Sequence, residues 1–394
     1  MKKTITLILL MLSIVVKAQI TPEIFNENIN TNDIFPQSIE YYNGEIIIPD
    51  LDNDRILKTS ATVINAPVTV LVSNTKFVTG IKVIGSELFF FQAITTNDPS
   101  TNTGKLSKIN LSQSNPTVID IMSGLNIPSA IDGNTNEIYF SEIIGTFPDN
   151  DFDNFIYSHH QISKINLVGT PTKTVLFQNR DFVDDLKLNS NDLYWSEYFE
   201  NSNEGKIFKY TITNPTPTVI DFYTFNNNEY AIRFLIHNNK MYYPTDTGTD
   251  IIKVIDLSQN PLISTQFSNT FNYNASFANP NAMIVHNNEM FVSTSFYIDN
   301  NNQKEMLYKL DISNLLNESF IENKPTFYPN PTTSQINFSE EISELEVYDV
   351  TGKKVKSFEN ANTTFNVEDL EKGIYFLKGK TSEQNIFTEK LVKQ

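Results

Sequence analysis

Apolar residues come along this chain in short runs: Ile46-Ile47-Ile48, Leu88-Phe89-Phe90-Phe91, Ile138-Tyr139-Phe140, Leu193-Tyr194-Trp195, Met241-Tyr242-Tyr243 and Met290-Phe291-Val292. A turn signal precedes each: Asn43-Gly44, Gly85-Ser86, Gly133-Asn134, Asn189-Ser190-Asn191, Asn238-Asn239 and Asn287-Asn288. Asn and Gly tolerate the positive φ of a tight hairpin, so each turn and its following run predict a β-hairpin. Two of these strings nearly repeat, Leu235-Ile236-His237-Asn238-Asn239-Lys240-Met241-Tyr242 and Ile284-Val285-His286-Asn287-Asn288-Glu289-Met290-Phe291. Downstream of each hairpin stands an apolar residue, any residue, Lys, then usually another apolar residue. The lysines are Lys58, Lys108, Lys164, Lys209, Lys253 and Lys309, at spacings of 50, 56, 45, 44 and 56. Six equivalent lysines read as surface positions whose stems lie along apolar neighbours. A further strand, such as Pro217-Thr218-Val219-Ile220, completes each unit.

A four-stranded unit of about 45 residues has the size of a propeller blade. Its strands are apolar on both faces, which a lone blade cannot bury and a ring of blades can. The expected fold class is therefore all-β, a six-bladed β-propeller over 19–324 followed by a small C-terminal β-sandwich over 325–394. Blades fall near 37–73, 78–121, 125–178, 180–223, 229–268 and 278–323, and segment 19–34 is expected to supply a strand that closes the ring and protects its edges. The fourth unit, Leu193-Tyr194-Trp195-Ser196-Glu197 with Gly205-Lys206-Ile207-Phe208-Lys209-Tyr210, resembles the YWTD-type propeller repeat, with Ser-Glu in place of Thr-Asp. Ile138-Tyr139-Phe140-Ser141-Glu142 and Met241-Tyr242-Tyr243-Pro244-Thr245-Asp246 are weaker versions, and the other units depart from the pattern. That resemblance implies a protein-binding propeller whose repeat motif is structural.

The last seventy residues carry a different pattern. Phe327-Tyr328-Pro329-Asn330-Pro331 fixes two φ angles and removes two donors, which marks a boundary. Leu345-Glu346-Val347-Tyr348-Asp349-Val350-Thr351-Gly352-Lys353 reads as a strand and turn, Lys372-Gly373-Ile374-Tyr375-Phe376-Leu377 as a strand entered through glycine, and Lys390-Leu391-Val392-Lys393-Gln394 as the final strand. Together they resemble the type A C-terminal sorting domain of the type IX secretion system of Bacteroidetes. Pro329, Asn330, Pro331, Gly352, Gly373, Tyr375 and Lys390 carry the match. The resemblance implies recognition by the type IX secretion machinery, delivery to the cell surface or medium, and removal of the tail or its exchange for an anchor.

Composition adds limits. Met1-Lys2-Lys3, the apolar run Ile5 to Val16, and Val16-Lys17-Ala18 read as a signal peptide over 1–18 cleaved after Ala18. Its removal takes three lysines and no acid, so the net charge of −17 becomes −20. So acidic a surface repels phosphate backbones and anionic lipid, which argues against nucleic acid as a partner. With no cysteine in the chain, disulfides, thiolate metal sites and thiol catalysis are excluded.

Candidate chemistry is sparse. No Gly-x-Ser-x-Gly, phosphate-binding loop or His-Glu-x-x-His occurs, and His237 and His286 sit at equivalent hairpin positions. His159-His160 lacks the spacing of a zinc site. Asp50, Glu142, Glu197 and Asp246 follow the apolar second strands and are candidate ligand-binding residues around a channel mouth. Asp149, Asp151 and Asp153 alternate in a long loop and could offer hard oxygens to Ca²⁺, as could Asp50-Leu51-Asp52-Asn53-Asp54. Three functions stay open: a binding or adhesion module for a protein or glycan ligand, a metal-dependent hydrolase or lactonase with its ion in the channel, and a carbohydrate-binding module using Phe147, Phe152, Tyr198 and Phe199.

Overall fold

The computed structural model describes residues 19–29, 38–51, 53–94, 96, 98, 101, 103–146, 155–214, 216–226, 229–245, 251–273, 276–277, 279–299, 302–313, 325–350, 353–358, 360–381 and 386–394. The signal-peptide segment 1–18, the triad Asp149, Asp151 and Asp153, Asp246, and Gly352 lie outside them. The chain divides into two compact units, Met1–Ile312 and Ser313–Gln394.

The first unit contains six four-stranded antiparallel sheets among the described residues. Sheet one runs Glu40–Tyr42, Glu45–Asp50, Arg55–Ser60 and Thr69–Ser73. Sheet two runs Val78–Ile84, Glu87–Gln92, Gly104–Asn110 and Ile119–Leu125. Sheet three runs Pro128–Gly133, Glu137–Thr146, Ile156–Asn166 and Thr172–Arg180. Sheet four runs Phe182–Asn189, Asp192–Phe199, Glu204–Thr211 and Ile220–Thr224. Sheet five runs Leu235–His237, Lys240–Pro244, Ile252–Asp256 and Ser264–Gln266. Sheet six runs Asn279–His286, Glu289–Asp299 and Asn302–Asp311, and its fourth strand is Glu23–Ile29. The strand expected from the N-terminal segment thus pairs with the last strand of the unit, Glu23 opposite Lys309.

The turns show why these residues make hairpins. Asn43 and Gly44 have φ of 45° and 87°, Asn238 and Asn239 48° and 56°, and Asn287 and Asn288 48° and 65°. Both central residues are left-handed, the requirement of the tight turn whose twist matches that of its strands. Each second strand then buries its apolar run. Ile46, Leu88, Ile138, Leu193, Met241 and Met290 are all fully buried.

The faces pack sheet against sheet. Ile47 and Ile56 of sheet one join Ile81, Leu88 and Phe90 of sheet two. Phe91 and Leu106 of sheet two join Ile131 and Phe140 of sheet three. Tyr139 and Ile162 of sheet three join Leu186, Leu193 and Trp195 of sheet four. Tyr194 and Ile207 of sheet four join Met241 and Tyr243 of sheet five. Phe25, Ala282, Phe291 and Leu307 of sheet six join Ile46, Ile48 and Leu57 of sheet one.

The six strands of the second unit, where a small sandwich was expected, are linked in one hydrogen-bonded network through a long shared strand. Its long strand Gln335–Asp349 pairs with Phe327–Tyr328 and Asn362–Asn366 along its first half and with Lys354–Phe358 and Gly373–Thr381 along its second. Ile386–Lys393 completes the edge beside Gly373–Thr381. Both halves contribute to one core, including Ile336, Phe338, Val347, Phe365, Leu377 and Leu391. The shared strand changes partners near Ile342, where its register is irregular.

Candidate functional site

All six first strands, or the residues just before them, line one cavity of about 130 Å³. Its charged lining is Glu40 from sheet one, Lys82 from sheet two, Asp132 from sheet three, Asp185 and Lys187 from sheet four, and Arg233 ahead of sheet five. Ala282, Met283 and Ile284 of sheet six complete an apolar side. In each case local alternation is the cause. Lys82 and Lys187 stand between neighbours packed into the inter-sheet cores, and Asp132 follows Ile131, which is packed there too, so their own side chains turn the other way.

Hydrogen bonds between successive sheets fix this lining. Ile81 N donates to Ser38 Oγ at 2.8 Å, and Thr79 Oγ1 donates to Pro128 O at 2.7 Å. Leu188 N donates to Asp132 Oδ2 at 2.9 Å, and Phe234 N donates to Asp185 Oδ2 at 3.0 Å. Lys82 Nζ lies 2.8 Å from Asp132 Oδ1 and 3.6 Å from Glu40 Oε1, and Lys187 Nζ lies 2.7 Å from Asp185 Oδ1. Burial raises the pKa of Glu40, against the lowering pull of Lys82. For Lys82 burial works downward, but Asp132 and Glu40 outweigh it and its pKa rises, so the ammonium stays charged.

Asp50, Glu142 and Glu197 occupy one equivalent position, the sixth residue of the second strand, and none of the three is among the cavity-lining residues. The same position holds Gln92, Thr245 and Thr294 in the other sheets, and all six are buried. Thr245, rather than Asp246, is therefore the sheet-five member. Each acid has a cation of its own. Arg55 Nε is 2.6 Å from Asp50, Lys173 Nζ is 2.7 Å from Glu142, and Arg180 Nε is 2.6 Å from Glu197. Glu142 also accepts from Gln161, Ser163 and the Asn126 amide, and Glu197 from the Trp195 indole at 2.5 Å. Burial lifts the Glu197 pKa despite Arg180.

The remaining candidates are dispersed. Asp54 pairs with Lys76 and accepts from Phe77 N, so the described carboxylates of that loop are already engaged. His160 is buried, its Nδ1 accepts from Val183 N, and burial pushes its pKa down to about 4. His159 contacts Ser158 instead; neighbours in one strand face opposite ways and cannot share an ion. Tyr198 packs on Tyr230, Phe199 lies beneath Lys206, and Phe147 and Phe152 lie outside the described residues. No cluster of three or more His, Asp or Glu able to hold a metal occurs among the described residues.

In the second unit the sorting motif is stitched to the last strand. Asn330 Nδ2 donates to Lys390 O at 2.8 Å, and Val392 N donates to Asn330 Oδ1 at 2.9 Å. Tyr375 is buried and its hydroxyl donates to Glu371 O. Gly373 opens the strand Gly373–Thr381, opposite Lys393. Start and end of the tail, far apart in sequence, thus form one structural element.

Residues 326–394 match the family described as "Secretion system C-terminal sorting domain". No curated protein matches the chain. Among solved structures, the luciferin-regenerating enzyme superposes with a TM-score of 0.50 at 9% identity, over 73% of this chain and 95% of that one. A protein of unknown function from Dyadobacter fermentans DSM 18053 gives 0.50 at 8% identity, over 75% and 99%. At such identity the likeness concerns fold alone, and the fold is β-propeller-like. No helix among the described residues is long and apolar enough to cross a membrane. The C-terminal residues are those of a type IX sorting tail, which implies a cargo protein exported to the cell surface or secreted.

Proposed function

We propose that the six sheets close into a six-bladed propeller and that this propeller is an exported binding module whose ligand enters the central cavity. Residues 1–18 are the leader, 19–324 the propeller and 325–394 the sorting domain. One observation carries the reading: six sheets converge on a single cavity whose charged lining is fixed by hydrogen bonds passing from sheet to sheet. Pre-organised polar groups in a concave apolar setting are what a small-ligand site requires. The donor set favours binding over metal-dependent hydrolysis. Asp132 and Asp185 already accept from backbone amides, and Lys82 and Lys187 occupy the places beside them that a divalent ion would need.

Two experiments test this. Ala282→Phe places an aromatic ring in the cavity; small-molecule screening by thermal shift should find ligands for the wild-type protein that the filled variant no longer binds, and equal binding by both sinks the cavity reading. Deletion of 325–394 should leave a folded propeller that stays in the periplasm, and normal surface delivery of the shortened chain sinks the export assignment.

A further inference from the structure

Arg233 differs from every other charged residue of the cavity. Lys82 is covered by Asp132 and Glu40, and Lys187 by Asp185. Arg233 has no carboxylate partner among the described residues. Its Nη1 donates to Asp184 O at 2.8 Å and to Ile232 O at 2.6 Å. Two acceptors use both hydrogens of Nη1 and hold the planar guanidinium in one orientation. The other edge, Nε and Nη2, keeps three N–H donors. That edge is the one that meets a carboxylate through two parallel hydrogen bonds.

We infer that the Nε–Nη2 edge of Arg233 anchors the carboxylate of a short-chain monocarboxylic acid bound in the cavity. The inference rests on the proposed ligand-binding role of that cavity. Three features narrow the class. A volume of about 130 Å³ admits only a compact molecule. Ile39, Ile131, Ala282 and Met283 offer a short hydrocarbon body an apolar wall. Glu40, Asp132 and Asp185 share the lining, so a dianion such as phosphate meets more repulsion than a monoanion.

The test is calorimetric titration of the full mature protein with butyrate, butyramide and inorganic phosphate, repeated on Arg233→Gln, Arg233→Lys and Ala282→Phe. Thermal melts check that each variant stays folded. Butyrate should bind the wild type at least about tenfold tighter than its neutral amide or phosphate. Losing a paired charged hydrogen bond should weaken butyrate on the order of tenfold to a hundredfold in Arg233→Gln. Arg233→Lys keeps the charge without the fork and should fall between. Failure of butyrate to bind at millimolar concentration, or equal binding of butyrate and butyramide, overturns the inference. If Arg233→Gln leaves butyrate affinity unchanged while Ala282→Phe removes it, the anchor is wrong and the cavity reading survives. If neither variant changes affinity, both fall.

Discussion

Glu305 is a buried carboxylate held, among the described residues, by the hydroxyls of Ser293 and Ser295, and burial raises its pKa well above the ordinary value despite those bonds. The folded state therefore holds this proton more tightly than the unfolded chain does. The resulting stabilisation is full below the unfolded pKa of about 4.3 and is lost as pH rises through the folded value. Glu305→Gln keeps hydrogen-bonding capacity and removes the titration. It should be more stable than wild type at pH 7 by about 1–2 kcal/mol, the gain shrinking toward pH 4. Denaturant melts across that range check the sign, and an equal difference at both ends refutes the assignment. Lys82 makes the complementary case. Lys82→Ala would strand Asp132 and Glu40 in the cavity wall, at a cost of about 3 kcal/mol in urea unfolding. The half-exposed pair Lys58–Glu45 contributes at most about 1 kcal/mol by the same measurement.

Hairpins and second strands were legible because their information is local: a turn that needs positive φ, then a run that needs burial. The lysine series was legible for the same reason. Lys58, Lys108, Lys164, Lys209 and Lys309 each reach the acid that opens the neighbouring strand, namely Glu45, Glu87, Glu137, Asp192 and Glu289. Sheet five slips by one. Lys253 lies opposite Tyr243, where Lys209 lies opposite Tyr194, and it pairs with Glu229 while Lys240 opens the strand. Two consecutive isoleucines, Ile251 and Ile252, hide that shift in the sequence. The acids of the second strands were visible, but not their partners, since Lys173 and Arg180 both arrive on the fourth strand of sheet three, and Arg180 reaches across to sheet four. A site at a central channel was expected, but the charged residues that line this cavity were not. Its one sequence signal is a charged residue between apolar neighbours in a first strand, as in Ile81-Lys82-Val83, Ile131-Asp132-Gly133 and Leu186-Lys187-Leu188. That pattern means little until six such strands converge. In the tail, Asn330→Ala removes two bonds to the last strand and should lower that unit's stability by about 1–3 kcal/mol, measured on the isolated tail unit or by hydrogen exchange at Val392. Unchanged protection there refutes the stitch.

For the first unit as a whole, the decisive element is Glu23–Ile29. Phe25 stacks edge-on against Phe291 in sheet six, while Asn26, buried beside it, donates to Thr59 Oγ1 at 3.0 Å in sheet one and to Ala66 O at 2.9 Å in the connection between that sheet's last two strands. One strand thus joins the last sheet to the first. Asn26→Ala should cost about 1–3 kcal/mol of the unit's stability and do so across all its sheets together, since the join serves every blade of the proposed ring. Hydrogen exchange that rises only in residues 23–29 would show the join to be local.

Pairing Glu23 with Lys309 also has a temporal meaning. During synthesis Glu23–Ile29 waits for Asn302–Asp311, the last strand of its unit, and until then keeps an unpaired edge. A prematurely ended chain lacks its partner and stays open to proteases. The same chain lacks residues 326–394 as well, because the sorting domain follows the closing strand. The sorting tail is thus completed only on a chain whose first unit already has all its strands.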